Sequence, residues 1–294
     1  MAKFIPDILS KRWVIVSPLR TNRPNSNLKK KTVFKCPFCE GHEKETPPEV
    51  LRMGGGEANN RGWKLRIVPN KFPITDIHEV IIHSPDDERD LEDLSLAQVG
   101  MVLLAYRERY NFYRKKSQVL IFCNHGEHAG ASLKHPHSQL VVIPSQINLD
   151  TLSREPLTNI IMNNRYFNVH CPDFSQWPYE VWIVPKKENT VFGDLDDKEL
   201  VDLAEIFKRT LRAIKKVYDS KQFGHIPFAY NYYIYHKENW YLRIIPRFVH
   251  RAGFELGTGL SVNVVDPYDA AMELKGLEDR MAKVLHRLKP LIRK

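Results

Sequence analysis

The 294-residue chain contains no uninterrupted run of the roughly 18 apolar residues needed to cross a bilayer, so no membrane association is expected. Its first residues, Met1-Ala2-Lys3-Phe4-Ile5-Pro6-Asp7, lack the apolar core of a secretory signal. Cysteine is scarce as well. The four present, Cys36, Cys39, Cys123 and Cys171, are too few for a disulfide scaffold at this length. These absences predict a cytoplasmic protein held by its core alone, and 43% hydrophobic content is enough for one large domain or two fused halves.

Acidic residues are outnumbered, 35 against 44 Lys and Arg, for a net charge of +9. Such an excess attracts nucleic acid, anionic membrane surfaces or phosphorylated small molecules alike and does not choose among them. Two basic stretches, Lys29-Lys30-Lys31 and Lys208 to Lys216, read by default as solvated faces.

What the chain does contain is a pattern stated twice. Glu79-Val80-Ile81-Ile82 leads through charged residues to Asp93-Leu94 and into Leu96 to Tyr113, apolar at helical spacing. Glu180-Val181-Trp182-Ile183 leads likewise to Asp194-Leu195 and into Glu199 to Tyr218, at an offset of 101. Each helix precedes an apolar run ending in proline, at Pro144 and Pro246, an offset of 102. Two copies at one long period predict a duplicated α+β unit rather than a solenoid. Antiparallel β-sheets flanked by helices are expected, in halves spanning 1–153 and 154–294. Arg154 to Asn168 reads as the linker, and Ala270 to Leu291 as a last helix. Alternating aromatics at Tyr230-Asn231-Tyr232-Tyr233-Ile234-Tyr235 read as strand packing.

Of the 12 histidines, two sit two apart in His135-Pro136-His137-Ser138-Gln139. Strand spacing predicts that His135, His137 and Gln139 face one site. A neutral imidazole attacks phosphorus and leaves again near neutral pH. Upstream, Asn124-His125-Gly126-Glu127-His128-Ala129-Gly130-Ala131-Ser132 supplies glycines, backbone N–H groups and a hydroxyl suited to phosphate oxygens. Cys36-Pro37-Phe38-Cys39 has the spacing of a zinc half-site, and no βαβ setting points to a thioredoxin-type redox pair.

The run Asn124-x-Gly126-x-x-x-Gly130-x-Ser132-x-x-His135-Pro136-His137-x-Gln139 closely resembles the active-site motif of galactose-1-phosphate uridylyltransferases, a branch of the histidine-triad superfamily. Cys36-Pro37-Phe38-Cys39 resembles that family's zinc motif, Val68-Pro69-Asn70-Lys71-Phe72-Pro73 its nucleotide-contact segment, and Ala252-Gly253-Phe254-Glu255-Leu256-Gly257-Thr258-Gly259 its sugar-binding region. The resemblance implies a catalytic His137 that attacks the α-phosphorus of a nucleotide sugar such as UDP-glucose. A sugar 1-phosphate then takes the nucleotidyl group. It further implies Gln139 and Ser132 on the phosphoryl oxygens, Asn70, Asn124 and Gly130 as substrate contacts, and Glu255 on a sugar hydroxyl, across a homodimer interface. The His135 carbonyl is expected to orient His137.

The same resemblance implies one zinc on Cys36, Cys39 and His135. Ser84-Pro85-Asp86-Asp87 sets Asp87 where many relatives carry a histidine as fourth ligand. Relatives with a second metal use a His-x-His run, and Trp240 to Ile245 has no histidine, so no second metal is expected. Two other readings stay open. One is a phosphorylase of ADP-glucose or dinucleoside polyphosphates; the other is a non-catalytic nucleotide- or nucleic-acid-binding relative, against which the intact His137 and Gln139 argue. Nucleic acid is accordingly not the expected partner.

Overall fold

The computed structural model describes residues 2–7, 12–23, 35–149, 152–220 and 227–277. Lys29-Lys30-Lys31 and the expected final helix beyond residue 277 lie outside them; residues 267–277 are helical. A small hairpin pairs β1 (Lys3–Pro6) with β2 (Trp13–Val16). The first half continues through β3 (Leu51–Gly54), β4 (Trp63–Pro69), β5 (His78–Ile82), helix α1 (Leu96–Tyr113), β6 (Gln118–His125) and β7 (His137–Ile143). The second half repeats the series as β8 (Ile160–Asn163), β9 (Phe167–His170), β10 (Val181–Pro185), helix α2 (Asp197–Ser220), β11 (Tyr230–Ile234) and β12 (Leu242–Pro246), followed by the short helix α3 (Gly253–Thr258).

Ten of these strands form a single antiparallel sheet in the order β3-β4-β5-β7-β6-β11-β12-β10-β9-β8. The fold is the expected duplicated α+β unit, with its strands fused into one sheet instead of two. β6 pairs with β11 at the join, Asn124 opposite Asn231 and Cys123 opposite Tyr232. The proposed linker is wrong in one respect: Arg154 to Asn168 contains β8 and the start of β9, the far edge of the sheet. Edge strands are short and polar at their tips, and the real turn at Asn164-Arg165-Tyr166 lends loop character to the whole segment.

Pleating also corrects the offset. Ile81 and Ile183 face the helices in the main core, while Val80 and Trp182 belong to clusters on the opposite face. The strands are therefore equivalent at 102, because a one-residue slip exchanges faces.

The helices keep the offset of 101 for a different reason. Ser95 caps α1 by accepting from Gln98 N at 3.1 Å, and Asp196 and Glu199 cap α2 reciprocally at 2.8 Å. The buried stripe of α2 includes Leu200, Leu203, Phe207, Leu211, Ile214 and Val217, three or four residues apart. Both helices lie on one face of the sheet, and each reaches into the other half. Arg114, just past the end of α1, pairs with Asp194 at 2.7 Å, and Lys215 of α2 with Asp93 at 2.8 Å. Arg107 donates to the Leu195 carbonyl, and Lys208 to that of Leu94. The duplicated Asp-Leu dipeptides are thus receptors for the other repeat's helix. Lys208 to Lys216 is correspondingly not a wholly solvated face. At such exposure each ion pair contributes on the order of 1 kcal/mol or less, so these contacts set alignment more than stability.

Beside this seam His125 lies 3.1 Å from Asp90 and stacks on Tyr230. Burial opposes its charge, but the Asp90 hydrogen bond and the charges of Asp90 and Glu92 together hold its pKa above the ordinary value. A raised folded-state pKa stabilises the fold fully below the unfolded value near about 6.5 and progressively less as pH rises through the folded value. Asp90→Asn is expected to lower the melting temperature more at pH 6 than at pH 9; equal losses at both would exclude this pair as a source of stability.

Candidate active site

His137 opens β7, a strand whose seven residues are all buried because β5 and β6 flank it and both its faces are covered. The residue is 8% exposed. Its Nδ1 lies 2.8 Å from the carbonyl oxygen of His135, so Nδ1 carries the proton and Nε2 keeps its lone pair. Burial pushes its pKa down to about 4, and the charges of His135 and Arg23 act in the same direction. The imidazole is neutral at physiological pH.

Around it opens a cavity of about 90 Å³ lined by Asn70, Ser132, His137 and Gln139 from the sequence motifs, with Phe38, Arg20 and Arg23. An adjoining cleft of about 10 Å³ carries Asn124 and His135 beside His137. Strand spacing had put His135 on the same face as His137 and Gln139. It instead precedes β7, separated by Pro136, and its ring turns toward Cys39.

The glycine loop between β6 and β7 is clamped from the second half. Asn231 Nδ2 donates to Asn124 Oδ1 at 2.8 Å and to the Ala129 carbonyl at 2.9 Å. Gly126 adopts φ of 80°, and a Cβ there would stand 2.9 Å from the Ala229 Cβ, so the close approach demands glycine. Gly130 lines neither space; its carbonyl accepts from Arg23 at 3.1 Å. Glu255 lies in α3, where it accepts from its own Ala252 N–H at 3.0 Å, and it borders neither cavity.

Arg20 and Arg23 are the main residues that the motifs missed. Burial lowers the pKa of both, and Arg20 adds to the effect on Arg23. Two guanidiniums lining one cavity give it a positive potential suited to an anion. The signal was available: Pro18-Leu19-Arg20-Thr21-Asn22-Arg23 begins a 3-10 turn, in which residues three apart eclipse. Arg20 also holds the Phe72 carbonyl at 3.1 Å, tying the turn to Val68-Pro69-Asn70-Lys71-Phe72-Pro73.

Cys36, Cys39 and His135 place one donor atom each within 4.8 Å of one another. His135 Nε2 donates to the Ser84 carbonyl at 2.8 Å, which leaves Nδ1, 3.6 Å from Cys39 Sγ, as a free donor atom. Asp87 Oδ2 lies 3.6 Å from the same sulfur. Burial, Cys36 and Asp87 raise the Cys39 pKa to about 12, a repulsion that a bound cation relieves. The donor set fits zinc, which prefers thiolate and imidazole in tetrahedral array.

The model for galactose-1-phosphate uridyl transferase, N-terminal domain, matches residues 74–143. ADP-glucose phosphorylase from Arabidopsis thaliana is 30% identical over 92% of this chain and 91% of its own. The crystal structure of an ADP-glucose phosphorylase from the same organism, with bound ADP-glucose, superposes with a TM-score of 0.72 at 28% identity, covering 94% of this chain and 99% of that one. Galactose-1-phosphate uridylyltransferase from Thermotoga maritima is 25% identical over 92% of this chain and 96% of its own. These relatives are nucleotidyl-transferring enzymes and phosphorylases, and the protein is an enzyme of that kind. The chain belongs to the galactose-1-phosphate uridylyltransferase family.

The purified protein is expected to carry about one zinc per chain by elemental analysis. Cys39→Ser should remove it and lower the melting temperature by several degrees. A metal-free wild type whose melting temperature ignores added zinc would rule the site out.

Proposed function

We propose that the enzyme exchanges a nucleoside monophosphate between a nucleotide sugar and a phosphate-bearing acceptor through a nucleotidyl-His137 intermediate. One observation carries this reading: a neutral, buried imidazole with Nδ1 tied to a carbonyl and Nε2 free, at a cavity that also holds Ser132, Gln139 and two arginines.

In the first half-reaction Nε2 of His137 attacks the α-phosphorus. The N–P bond forms as the bond to the bridging oxygen breaks, and the sugar 1-phosphate leaves with that electron pair as an anion that needs no proton. The Nδ1–H···O=C bond to His135 supports the positive charge developing on the ring. Gln139, Ser132 and Asn124 steady the phosphoryl oxygens, with Arg23 and the Gly130 turn beside them. In the second half-reaction an acceptor oxygen attacks phosphorus, the N–P bond breaks and the neutral imidazole returns. Asn70 belongs to the nucleoside side of the cavity.

The sequence motifs favour UDP-glucose as donor and a hexose 1-phosphate such as galactose 1-phosphate as acceptor. A second reading has its own support: 30% identity to an ADP-glucose phosphorylase over nearly the whole chain favours ADP-glucose and inorganic phosphate. Zinc, with Asp87 completing the set of Cys36, Cys39 and His135, would hold the segment before β3 against the start of β7. In this reading residues 1–153 supply the chemistry and residues 154–294 the wall. The enzyme acts in the cytoplasm as a homodimer, in which Glu255 meets the sugar of the partner's site. The exposed apolar side chains of Phe254, Leu256, Leu260 and Val264 support such an interface.

Incubation with nucleotide sugar labelled in the α-phosphate, quenched in alkali, is expected to leave acid-labile label on His137. His137→Gly should abolish both label and exchange, and a variant that turns over normally would eliminate the proposed role. Parallel assays with UDP-glucose plus galactose 1-phosphate, and with ADP-glucose plus phosphate, separate the two substrate readings.

A further inference from the structure

Gln139 can serve phosphate only if its amide presents NH2, not carbonyl, to the cavity. An isolated glutamine has no such preference, since its two ends are nearly the same shape. The residues behind it remove the ambiguity. His78, on β5, is 4% exposed, and its Nδ1 lies 2.9 Å from the backbone nitrogen of Ile74. A backbone N–H only donates, so Nδ1 is the acceptor and the ring proton sits on Nε2. Burial pushes the His78 pKa down to about 4, which keeps the ring neutral in this tautomer.

Nε2 of His78 lies 2.9 Å from Gln139 Oε1. Asn70 has its own carbonyl occupied by the Phe72 N–H at 2.8 Å, so its Nδ2 faces inward, 3.1 Å from His78 Nε2 and 3.5 Å from the same Oε1; with His78 Nδ1 accepting from Ile74, both nitrogens are donors and Oε1 is the acceptor they share. Two donors therefore converge on the carbonyl end of Gln139. A flipped amide would set NH2 against N–H groups on both sides and leave all of them without an acceptor.

The second half carries a polar pair at the corresponding place. Val80 lies opposite Gln139 across the sheet, and Trp182 lies opposite Arg243. Two residues before Trp182, Glu180 holds Arg243 through Nε at 2.7 Å and Nη2 at 2.8 Å. There the lock is an ion pair. In the half bearing His137 it is a neutral imidazole that fixes one end of an amide and leaves the other free.

We propose that His78 is a positioning residue for nucleotidyl transfer: with Asn70 it pins the Gln139 carbonyl and so aims the Gln139 NH2 at the α-phosphate. The inference rests on the reading of His137 and Gln139 given above. In it His78 never touches substrate and acts only through Gln139.

A double-mutant cycle tests this, with exchange measured on whichever substrate pair the wild type turns over. Gln139→Ala is expected to lower kcat about 100-fold, the loss typical of one aimed donor. His78→Leu should lower kcat by about 10-fold or more and shift KM for the nucleotide sugar less than about 3-fold, and His78→Gln, which returns a donor at similar reach, should recover most of it. In the Gln139→Ala background His78→Leu should have no further effect. Independent, multiplicative losses would overturn the proposal, as would a His78→Leu enzyme with unchanged kcat. Should that variant not fold, nitrogen-15 NMR of the wild-type histidines decides. A neutral Nε2–H tautomer at pH 7 is required, and an Nδ1–H or charged His78 sinks the idea. Failure of the parent reading is distinguishable, because a wild type that never labels His137 fails before the cycle begins.

Discussion

Everything about the site depends on the pairing of β6 with β11. Neither half closes its sheet alone: each would end on a strand with one row of unpaired backbone groups, and joining those edges removes both exposed ladders at once. The same pairing sets Asn231 opposite Asn124, so the second half grips the glycine loop that leads from β6 to β7. The helices add a second registration, each sending cations to the other repeat's Asp-Leu turn.

Within this near-symmetric frame the two halves have diverged at the cavity beside His137. β7 and β12 occupy the same place in their half-sheets, and where β7 brings His137 to the cavity, the approach to β12 brings Tyr241. That ring is stacked on Trp182 at 4.0 Å and on Tyr235 at 4.9 Å. The aromatic run from Tyr230 to Tyr235 thus packs as expected, Tyr230 and Tyr232 toward the helices and Tyr233 and Tyr235 around Tyr241. One half keeps an imidazole at an open cavity, and the other fills the corresponding space with aromatic surface.

Much of this was legible in the sequence because periodicity and short motifs are local. α1 was read with its observed ends, and His137, Gln139, Ser132 and Asn70 do meet at one cavity. What was illegible was partnership over distance. Nothing in residues 118–125 announces residues 230–234 as their neighbours, and a sheet of ten strands reads locally like two of five. His78 escaped notice because a lone histidine on an apolar strand looks like core until its two neighbours, Ile74 N–H and Gln139 Oε1, are known. Glu255 was singled out by motif, yet within one chain it stands apart from the cavity.

His135 serves two masters with separate parts of one residue. Its ring nitrogens answer to Cys39 on one side and to the Ser84 carbonyl on the other, while its own carbonyl receives the proton of His137. Ring and carbonyl share a single α-carbon, followed by a proline that stiffens the backbone between the two histidines. The knuckle of cysteines and the His137 imidazole are therefore mechanically one object: whatever anchors the sulfurs also fixes which way the lone pair points.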